Sequence, residues 1–298
     1  MKNMLFVMNP MAGLRKANKL LPEILGIFNR AGYRVTVHIT ESQGDAARVV
    51  AQEGANMDVL VCCGGDGTFN ETLAGMLGAG LDLPIGYIPA GSTNDLANSL
   101  HLPSNILEAA KNIVEGEPVA YDVGQFNGRY FSYVASFGAF TRASYATPQN
   151  MKNALGHTAY VLGGIGELTQ IRDIPVHLEL DGETLEGNYI FGAVCNSTSV
   201  AGLLTLDSKQ VDMQDGKFEV LLVRGPKDLV EITELLQAIQ NKTYNCRMMT
   251  FRSAGNVRIT MENPVDWTLD GERQEGQNQV EIQCCPLAVR LLKRREDK

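Results

Sequence analysis

Short apolar segments alternate with helical segments over the first 120 or so residues, and this alternation restricts the chain to a few folds. Met4 to Met8 and Val59 to Cys62 are continuous apolar runs, and Val35, Val37 and Ile39 alternate as in a strand. Between Met8 and Val35, apolar residues recur at helical spacing. Strand–helix–strand order predicts a mostly parallel sheet with helices on both faces, which binds ligands at the carboxyl ends of its strands.

The pattern changes after about Tyr121, where most segments read as paired strands. Two helices interrupt them, around Ala154 to Ile171 and Lys227 to Gln240. We therefore predict an α/β domain over residues 1–122 and a β-rich, β-sandwich-like domain over residues 123–298, with a cleft between them. The predicted strand pairs are Val119–Phe126 with Arg129–Ser136, Val176–Leu180 with Gly187–Val194, and Val257–Met261 with Val265–Leu269.

Composition excludes several classes of function. With 26 basic and 34 acidic side chains the net charge is -8, so nucleic acid is not an expected partner. The six cysteines lack the spacing of a zinc site or a disulfide framework, which indicates a reducing cytosol. No apolar stretch reaches about 18 residues, so we expect neither a signal peptide nor a transmembrane segment.

The segment from Val59 to Glu71 carries the strongest chemical signal. A buried strand leads into Gly64, Gly65 and Gly67 and then into a helix, which would present backbone N–H groups to a phosphate. Asp66 would repel that phosphate unless a divalent cation lay between them, so we expect Asp66 to face magnesium rather than to pack in the protein. The alternative is an ordinary tight turn between strand and helix.

Two more loops follow neighbouring strands. Asn9–Gly13 comes after the first predicted strand, and Pro89–Asp95 comes after the fourth, which spans Ile85 to Ile88. Each loop joins small residues to amide or hydroxyl groups. Either loop alone is explained by a turn or a helix cap. Because the carboxyl ends of parallel strands share one edge, the three loops together predict a single nucleotide site.

These motifs resemble the diacylglycerol-kinase-like catalytic domain shared by bacterial soluble lipid kinases, eukaryotic diacylglycerol kinases, sphingosine kinases and ceramide kinases. The resemblance spans nearly the whole chain and rests on the order of four segments. They are Asn9–Gly13, Gly64–Thr68, Pro89–Asp95 and the late Leu269-Asp270-Gly271-Glu272.

The resemblance implies an ATP-dependent kinase that phosphorylates a lipid hydroxyl. It implies that Asp66 and Asp95 lie near a catalytic Mg²⁺ and that Asp270 or Glu272 is the general base, without deciding between these two. The residues implied to line the ATP site are Asn9, Pro10, Met11, Ala12, Gly13, Thr40, Gly64, Gly65, Asp66, Gly67, Thr68, Phe69, Asn70 and Ser92.

Asp-Gly-Glu occurs twice, at residues 181–183 and 270–272. Each copy lies between alternating strands and predicts a hairpin turn. Only the resemblance distinguishes the second copy as catalytic.

The family's bacterial members also hold a structural magnesium in the second domain. The resemblance implies that Asp212, Asp215 and the backbone carbonyl of Lys217 are its ligands here. A solvated Asp-Gly turn is the alternative.

The chain departs from the family pattern at three positions. Ser92 stands where threonine is usual, Leu14 where lysine is common, and Asn98 where arginine is common. The last two changes weaken any ionic link between domains or subunits, and they leave the homodimer that the family allows as an open question. The resemblance also allows the last strand, about residues 288–292, to return to the first domain.

Two other functions stay open. One is an NAD kinase, which shares the Gly-Gly-Asp-Gly element, although the Pro89–Asp95 loop argues against it. The other is a non-catalytic nucleotide-binding regulator, against which Asp66, Asp95, Asp270 and Glu272 argue.

The acceptor follows from the resemblance only as a membrane lipid reached from the aqueous side, with diacylglycerol as the first choice. We therefore expect a cytoplasmic protein, peripheral at the inner membrane surface. Five aromatic residues either line a lipid groove or fill the core, and the core is the favoured interpretation. They are Tyr133, Phe137, Phe140, Tyr145 and Tyr160.

Overall fold

The computed structural model describes residues 1–138, 173–200, 204–205, 211–241 and 246–295. The predicted helix at 154–171 and the aromatic residues Phe140, Tyr145 and Tyr160 lie outside these ranges. The helices of the described residues are α1 (Lys16–Arg30), α2 (Asp45–Glu53), α3 (Asp66–Gly78), α4 (Asp95–Ser99), α5 (Ile106–Glu115) and α6 (Leu229–Asn241), with a 3₁₀ turn at Gly54–Asn56. The strands are β1 (Lys2–Met8), β2 (Tyr33–Ile39), β3 (Val59–Gly64), β4 (Pro84–Pro89), β5 (Glu117–Phe126), β6 (Arg129–Phe131), β7 (Val134–Gly138), β8 (Ile174–Leu180), β9 (Glu183–Tyr189), β10 (Phe191–Cys195), β11 (Ser199–Val200), β12 (Leu204–Thr205), β13 (Phe218–Val223), β14 (Met249–Ala254), β15 (Asn256–Leu269) and β16 (Glu272–Lys293).

The amino-terminal part is a parallel sheet in the order β2-β1-β3-β4. Alternate residues of β1 explain why both faces are covered. Met4 and Phe6 pack with α1 and α5 on one face, and Leu5 and Val7 pack with α2 and α3 on the other. Since successive side chains of a strand point to opposite faces, a fully apolar strand requires a cover on each side.

The carboxyl-terminal part is mainly antiparallel, in the order β14-β13-β10-β7-β15-β16, with the β8–β9 hairpin paired to β15. The long strand β16 joins the two parts, since it pairs with β15 near its start and runs parallel to β4 at Arg290 and Leu291. Trp267 is fully buried at the centre of this part, 5.0 Å from Phe126 and 4.8 Å from Phe137 between ring centroids. The predicted α/β fold with a β-rich second half is confirmed.

Some predicted strand pairs are wrong. Residues 256–269 form one strand that pairs with β16, not a hairpin that turns between Met261 and Val265. Pro264 lies where the register with β16 shifts, because proline has no N–H for the ladder and is tolerated at such irregularities. The other two predicted pairs are confirmed in part, since β5 pairs with β6 and β8 pairs with β9. The segment 129–136 is divided between β6 and β7, however, and the segment 187–194 between β9 and β10.

Tyr133 and Phe137 are both buried, 4% and 1% exposed, and both belong to hydrophobic core clusters. This agrees with the core interpretation for these two aromatic residues.

Candidate active site

The loops that follow β1, β3 and β4 lie side by side at one edge of the parallel sheet. Asn9 N donates to Cys63 O over 2.9 Å, and Ala90 N donates to Gly64 O over 2.8 Å, so each loop begins in register with its neighbour. The side-chain amide of Asn9 also reaches the hydroxyl of Thr68 over 3.1 Å. The sheet therefore brings together the three loops that the sequence predicted to form one site.

The glycine-rich turn and the loop after β4 approach each other so closely that side chains would not fit. A Cβ on Gly91 would lie 2.6 Å from Cα of Gly65, well inside van der Waals contact. Glycine at both positions lets the two backbones come into contact. The glycine-rich turn leads directly into the amino terminus of α3.

These loops surround an open cleft of about 530 Å³. The predicted nucleotide-binding residues that line it are Asn9, Met11, Ala12, Gly13, Thr40, Gly65, Gly67, Thr68 and Ser92. One of the two predicted catalytic carboxylates, Glu272, lines it as well.

Gly91, in the predicted Pro89–Asp95 loop, also lines the cleft. The sequence reasoning missed four further lining residues, namely Glu41, Ser42, Gln43 and Glu71. Two signals pointed to them. The turn at 41–43 directly follows Thr40, and Glu71 lies one helical turn after Gly67 on the same face of α3. The Glu71 carboxylate accepts hydrogen bonds from the N–H groups of Gly44 (2.8 Å) and Ala46 (3.3 Å), so it holds the start of α2 against the cleft.

The other predicted nucleotide-binding residues do not line the cleft. Phe69 is 1% exposed and packs against Tyr87 with ring centroids 4.8 Å apart, because its position on α3 turns it toward β4 and the core. Asn70 is buried on the same helix, and its Oδ1 has no hydrogen-bond partner among the described residues. Gly64 is the buried end of β3, and Pro10 and Asp66 also lie outside the lining.

Asp66 differs most from the sequence expectation, because it packs in the protein. Its carboxylate accepts from the backbone N–H of Asp95 (3.0 Å) and of Leu96 (3.3 Å) at the start of α4. The hydroxyls of Tyr87 and Thr93 lie 3.4 Å away. Burial raises the pKa of Asp66, and these hydrogen bonds partly oppose the rise. Asp66 therefore orders the loop that carries Asp95, which is itself half-buried.

The two Asp-Gly-Glu segments form the same turn in different surroundings. Asp181-Gly182 and Asp270-Gly271 each join two antiparallel strands, and all four residues have positive φ, as a two-residue hairpin turn requires. The first turn is exposed, and Glu183 pairs with Arg252 at 3.1 Å. Only the second turn reaches the cleft.

Asp270 is buried behind that turn, where its carboxylate accepts four hydrogen bonds. The donors are the backbone N–H groups of Ser132 (2.6 Å), Tyr133 (2.9 Å) and Val134 (3.0 Å), and the Ser132 hydroxyl (2.8 Å). Burial raises the pKa of Asp270 to about 6, against the lowering effect of these bonds. Asp270 thus fixes the turn, and both of its oxygens are already occupied.

Glu272 is the carboxylate that faces the reaction space. Its Oε1 lies 3.4 Å from where a Cβ on Gly67 would stand, and its Oε2 accepts from Arg129 Nη2 at 2.7 Å. Arg129 also donates to Gln274 at 3.0 Å, which fixes the guanidinium beside the turn. Of the two candidates for the general base, only Glu272 has an oxygen directed toward the glycine-rich turn.

The predicted metal loop of the second half is a turn with two exposed carboxylates. Asp212 Oδ1 accepts from Gln214 N at 3.0 Å, and Asp215 Oδ1 accepts from Lys217 N at 2.9 Å. Across the described residues, no three His, Cys, Asp or Glu side chains lie close enough together to hold a metal ion.

The surroundings of this loop are nevertheless strongly negative. Glu219 is 2% exposed, and its Oε2 has no hydrogen-bond partner among the described residues. Burial, together with the charges of Asp215 and Asp212, raises the pKa of Glu219 to about 8. A cation bound at the loop would offset the charges of Asp212 and Asp215, and carboxylate and carbonyl oxygens are the ligands that a hard divalent ion prefers.

Comparison with known proteins matches both halves of the chain. Residues 3–126 match the model described as the diacylglycerol kinase catalytic domain, and residues 134–293 match the YegS C-terminal NAD kinase beta sandwich-like domain. The diacylglycerol kinase of Bacillus subtilis (strain 168) is 32% identical over 275 residues, which cover 91% of this chain and 90% of that protein. The chain belongs to the diacylglycerol kinase catalytic-domain family.

A second curated relative and a solved structure also resemble this chain in sequence or fold. The diacylglycerol kinase of Staphylococcus saprophyticus is 30% identical over 89% of this chain and 87% of its own length. The crystal structure of a diacylglycerol kinase from Bacillus anthracis strain Sterne shares the fold, with a TM-score of 0.77 and 21% identity over 98% of this chain and 97% of that one.

Membership in the diacylglycerol kinase family confirms the predicted resemblance and the predicted enzyme class. It implies ATP as the phosphoryl donor and disfavours the non-catalytic regulatory alternative. Among the residues that the structure describes, no helix is long and apolar enough to span a membrane.

Proposed function

We propose that this protein transfers the γ-phosphoryl group of ATP to the hydroxyl of a membrane lipid, with diacylglycerol as acceptor and phosphatidic acid as product. The observation that carries the proposal is the placement of Glu272, whose carboxylate lines the same cleft as the glycine-rich turn and the loops after β1 and β4. A carboxylate beside a phosphate-binding turn is suited to take the proton from an attacking hydroxyl. The relatives named diacylglycerol kinase support the choice of acceptor.

ATP would occupy the cleft with its phosphates at the glycine-rich turn, next to the amino terminus of α3. The close contact of Gly65 with Gly91 keeps side chains away from this end of the cleft. Asn9 and Thr68, joined by a hydrogen bond, and Ser92 supply neutral polar contacts. The dipole of α3 and the backbone N–H groups of the turn would favour the phosphate charge.

A Mg²⁺ ion bound with the nucleotide would neutralise phosphate charge, with Asp95 and Asp66 as the nearby carboxylates. These two carboxylates lie close together, since the Asp66 carboxylate accepts the backbone N–H of Asp95 over 3.0 Å. Since both Asp66 oxygens already accept backbone hydrogen bonds, Asp66 serves first to position Asp95.

The chemical step is an in-line displacement at the γ-phosphorus. The bond between the acceptor oxygen and phosphorus forms, the bond to the bridging oxygen of ADP breaks, and the proton of the hydroxyl passes to Glu272. Arg129 holds the Glu272 side chain, and Asp270 holds the turn that carries it. Orientation of this kind supplies much of the rate of phosphoryl transfer.

In the second half, Asp212, Asp215 and the carbonyl of Lys217 would hold a structural Mg²⁺. The Glu219 oxygen, which has no partner among the described residues, and the charges of Asp212 and Asp215 support this role. We further propose that the protein works in the cytoplasm at the inner membrane surface, since its substrate would be a membrane lipid.

The test is a transfer assay with radiolabelled ATP, Mg²⁺ and mixed micelles that contain diacylglycerol, phosphatidylglycerol, an undecaprenol-like alcohol or a sphingoid base, with NAD in a parallel reaction. We expect label in phosphatidic acid, and no label with Glu272→Gln. Label in a different lipid would refute the choice of acceptor. Label in NAD and in no lipid would refute the lipid kinase and favour the NAD kinase alternative.

A further inference from the structure

A tyrosine near the proposed reaction centre, Tyr133, has a hydroxyl group that makes no hydrogen bond to any residue that the structure describes. Tyr133 is 4% exposed and its ring belongs to the core cluster that also contains Tyr87 and Leu96. Within the described part of the chain its backbone N–H and C=O are both bonded, to Asp270 and Asn196, but its hydroxyl has no partner. Buried tyrosine hydroxyls usually find one.

The neighbouring buried tyrosine shows the usual behaviour. The hydroxyl of Tyr87 lies 3.4 Å from Asp66 Oδ1. Two of the three carboxylates whose charges act on Tyr133 are already occupied, because Asp270 accepts four hydrogen bonds and Asp66 is held by the start of α4, and the third, Asp95, has no hydrogen bond to the Tyr133 hydroxyl. The Tyr133 hydroxyl is therefore a donor available to a bound molecule.

The hydroxyl lies beside the turn that carries the proposed general base. It is 3.9 Å from where a Cβ on Gly271 would stand, and Gly271 immediately precedes Glu272. Glu272 lines the nucleotide cleft, whereas Tyr133 does not. The two groups thus flank one turn, with only the carboxylate on the nucleotide side.

The charges around this hydroxyl favour a neutral partner over an anionic one. Burial, together with the charges of Asp270, Asp66 and Asp95, raises the pKa of Tyr133 well above its usual value, so the phenol keeps its proton. Without a cation between them, a phosphate oxygen at this hydroxyl would be repelled by the same three carboxylates, whereas an alcohol would not be.

Building on the proposed function, we propose that the Tyr133 hydroxyl donates a hydrogen bond to the oxygen of the acceptor alcohol. This contact would orient the alcohol so that its proton points to Glu272 and a lone pair points to the γ-phosphorus. Tyr133 would then act on the acceptor and not on ATP, as a residue that contacts the substrate during transfer.

The test is Tyr133→Phe, which removes one oxygen atom and keeps the buried ring. Initial rates are measured while diacylglycerol is varied in mixed micelles at saturating ATP, and while ATP is varied at saturating lipid. We expect kcat/KM for the lipid to fall about tenfold to a hundredfold, as for the loss of one hydrogen bond in the transition state, with the KM for ATP unchanged. Tyr189→Phe is the matched control, since Tyr189 is also buried but lies in β9, in a different core cluster from Tyr133.

Two results would overturn the inference. Kinetics of Tyr133→Phe equal to wild type would show that the hydroxyl contacts no reactant. A raised KM for ATP with unchanged lipid kinetics would place the contact on the nucleotide.

Thermal denaturation of each purified variant ensures that a loss of rate is not a loss of fold. Glu272→Gln, assayed in parallel, separates this inference from the proposed function. If Glu272→Gln is inactive while Tyr133→Phe is fully active, the lipid kinase stands and only the role of Tyr133 fails. If wild-type protein phosphorylates no lipid, the proposed function itself fails.

Discussion

The carboxylate of Asp66 accepts a hydrogen bond of 3.0 Å from the backbone N–H of Asp95. This bond joins the first turn of α3 to the first residue of α4, and so it connects the glycine-rich turn with the loop after β4. Asp66 and Asp95 are the two carboxylates proposed to lie near the nucleotide-bound Mg²⁺, and Asp66 fixes the position of Asp95.

Asp66→Ala is expected to reduce both turnover and stability. The substitution leaves the N–H groups of Asp95 and Leu96 without their acceptor in a buried setting, which costs about 1–3 kcal/mol of the free energy of unfolding. The transfer assay should show little activity at saturating ATP and magnesium, and urea denaturation should show a lower midpoint. Near-normal turnover would contradict the assignment of this turn to phosphate binding.

The two Asp-Gly-Glu turns should respond unequally to the same substitutions. Glu272→Gln keeps the shape of the side chain but removes the proposed base, so turnover should fall by about two orders of magnitude or more while ATP binding is retained. Glu183→Gln alters an exposed ion pair with Arg252 and should leave turnover nearly unchanged. Single-turnover kinetics and nucleotide binding by calorimetry measure the two effects. The opposite ranking would assign the base to the wrong turn.

Asp270→Asn should differ from Glu272→Gln in stability as well as in rate. The Asp270 carboxylate accepts four hydrogen bonds, and an amide can accept only at its oxygen, so some buried donors lose their partner. We expect a lower melting temperature together with lower turnover, whereas Glu272→Gln should lower turnover alone. Asp181→Asn, in the exposed copy of the turn, is the matched control. Equal melting temperatures for Asp270→Asn and wild type would contradict the positioning role.

Activity should fall as the pH drops through about 6. The pKa of Asp270 is raised by burial to about 6, and protonation converts one acceptor oxygen into a donor, which breaks part of the network that holds the turn. The effect on stability has the opposite sign. Because the folded-state pKa lies above the ordinary aspartate pKa of 3.8, the contribution of this group to stability is greatest below about pH 4 and is lost as the pH rises through about 6.

A profile of kcat/KM from pH 5 to pH 8 in buffers of constant ionic strength tests this assignment. The residual activity of Asp270→Asn should not fall as the pH drops through about 6. A flat wild-type profile, or the same fall in the variant, would contradict the assignment of this pH dependence to Asp270.

Asp215→Ala should remove the effect of magnesium on stability. A structural ion that binds only the folded protein raises its melting temperature by mass action, so the wild type should show a dependence on magnesium that the variant lacks. Melting temperatures across a magnesium titration, without nucleotide, measure this effect. Glu262→Gln, at an exposed carboxylate in β15, serves as control and should behave as wild type. Identical curves for Asp215→Ala and wild type would make this loop an ordinary turn.

The sequence by itself determined the local elements and the edge of the sheet where ligands would bind. Apolar periodicity identified β1 to β4, and the parallel order of such strands required Asn9, Gly65 and Gly91 to meet. Each Asp-Gly-Glu segment indicated a hairpin turn, because positive φ at both central residues is a local requirement. Features of this kind depend on residues a few positions apart, which a sequence displays directly.

Only the tertiary structure decided which turn meets the cleft and which carboxylate faces it. Asp270 is bonded to Ser132, 138 residues away in the sequence, and Asp66 to Asp95, 29 residues away. Burial of Asp66 and the merging of residues 256–269 into one strand likewise depend on distant partners, α4 in one case and β16 in the other. The free energy of a charged or polar group is set by what surrounds it in space, and long-range packing supplies those surroundings.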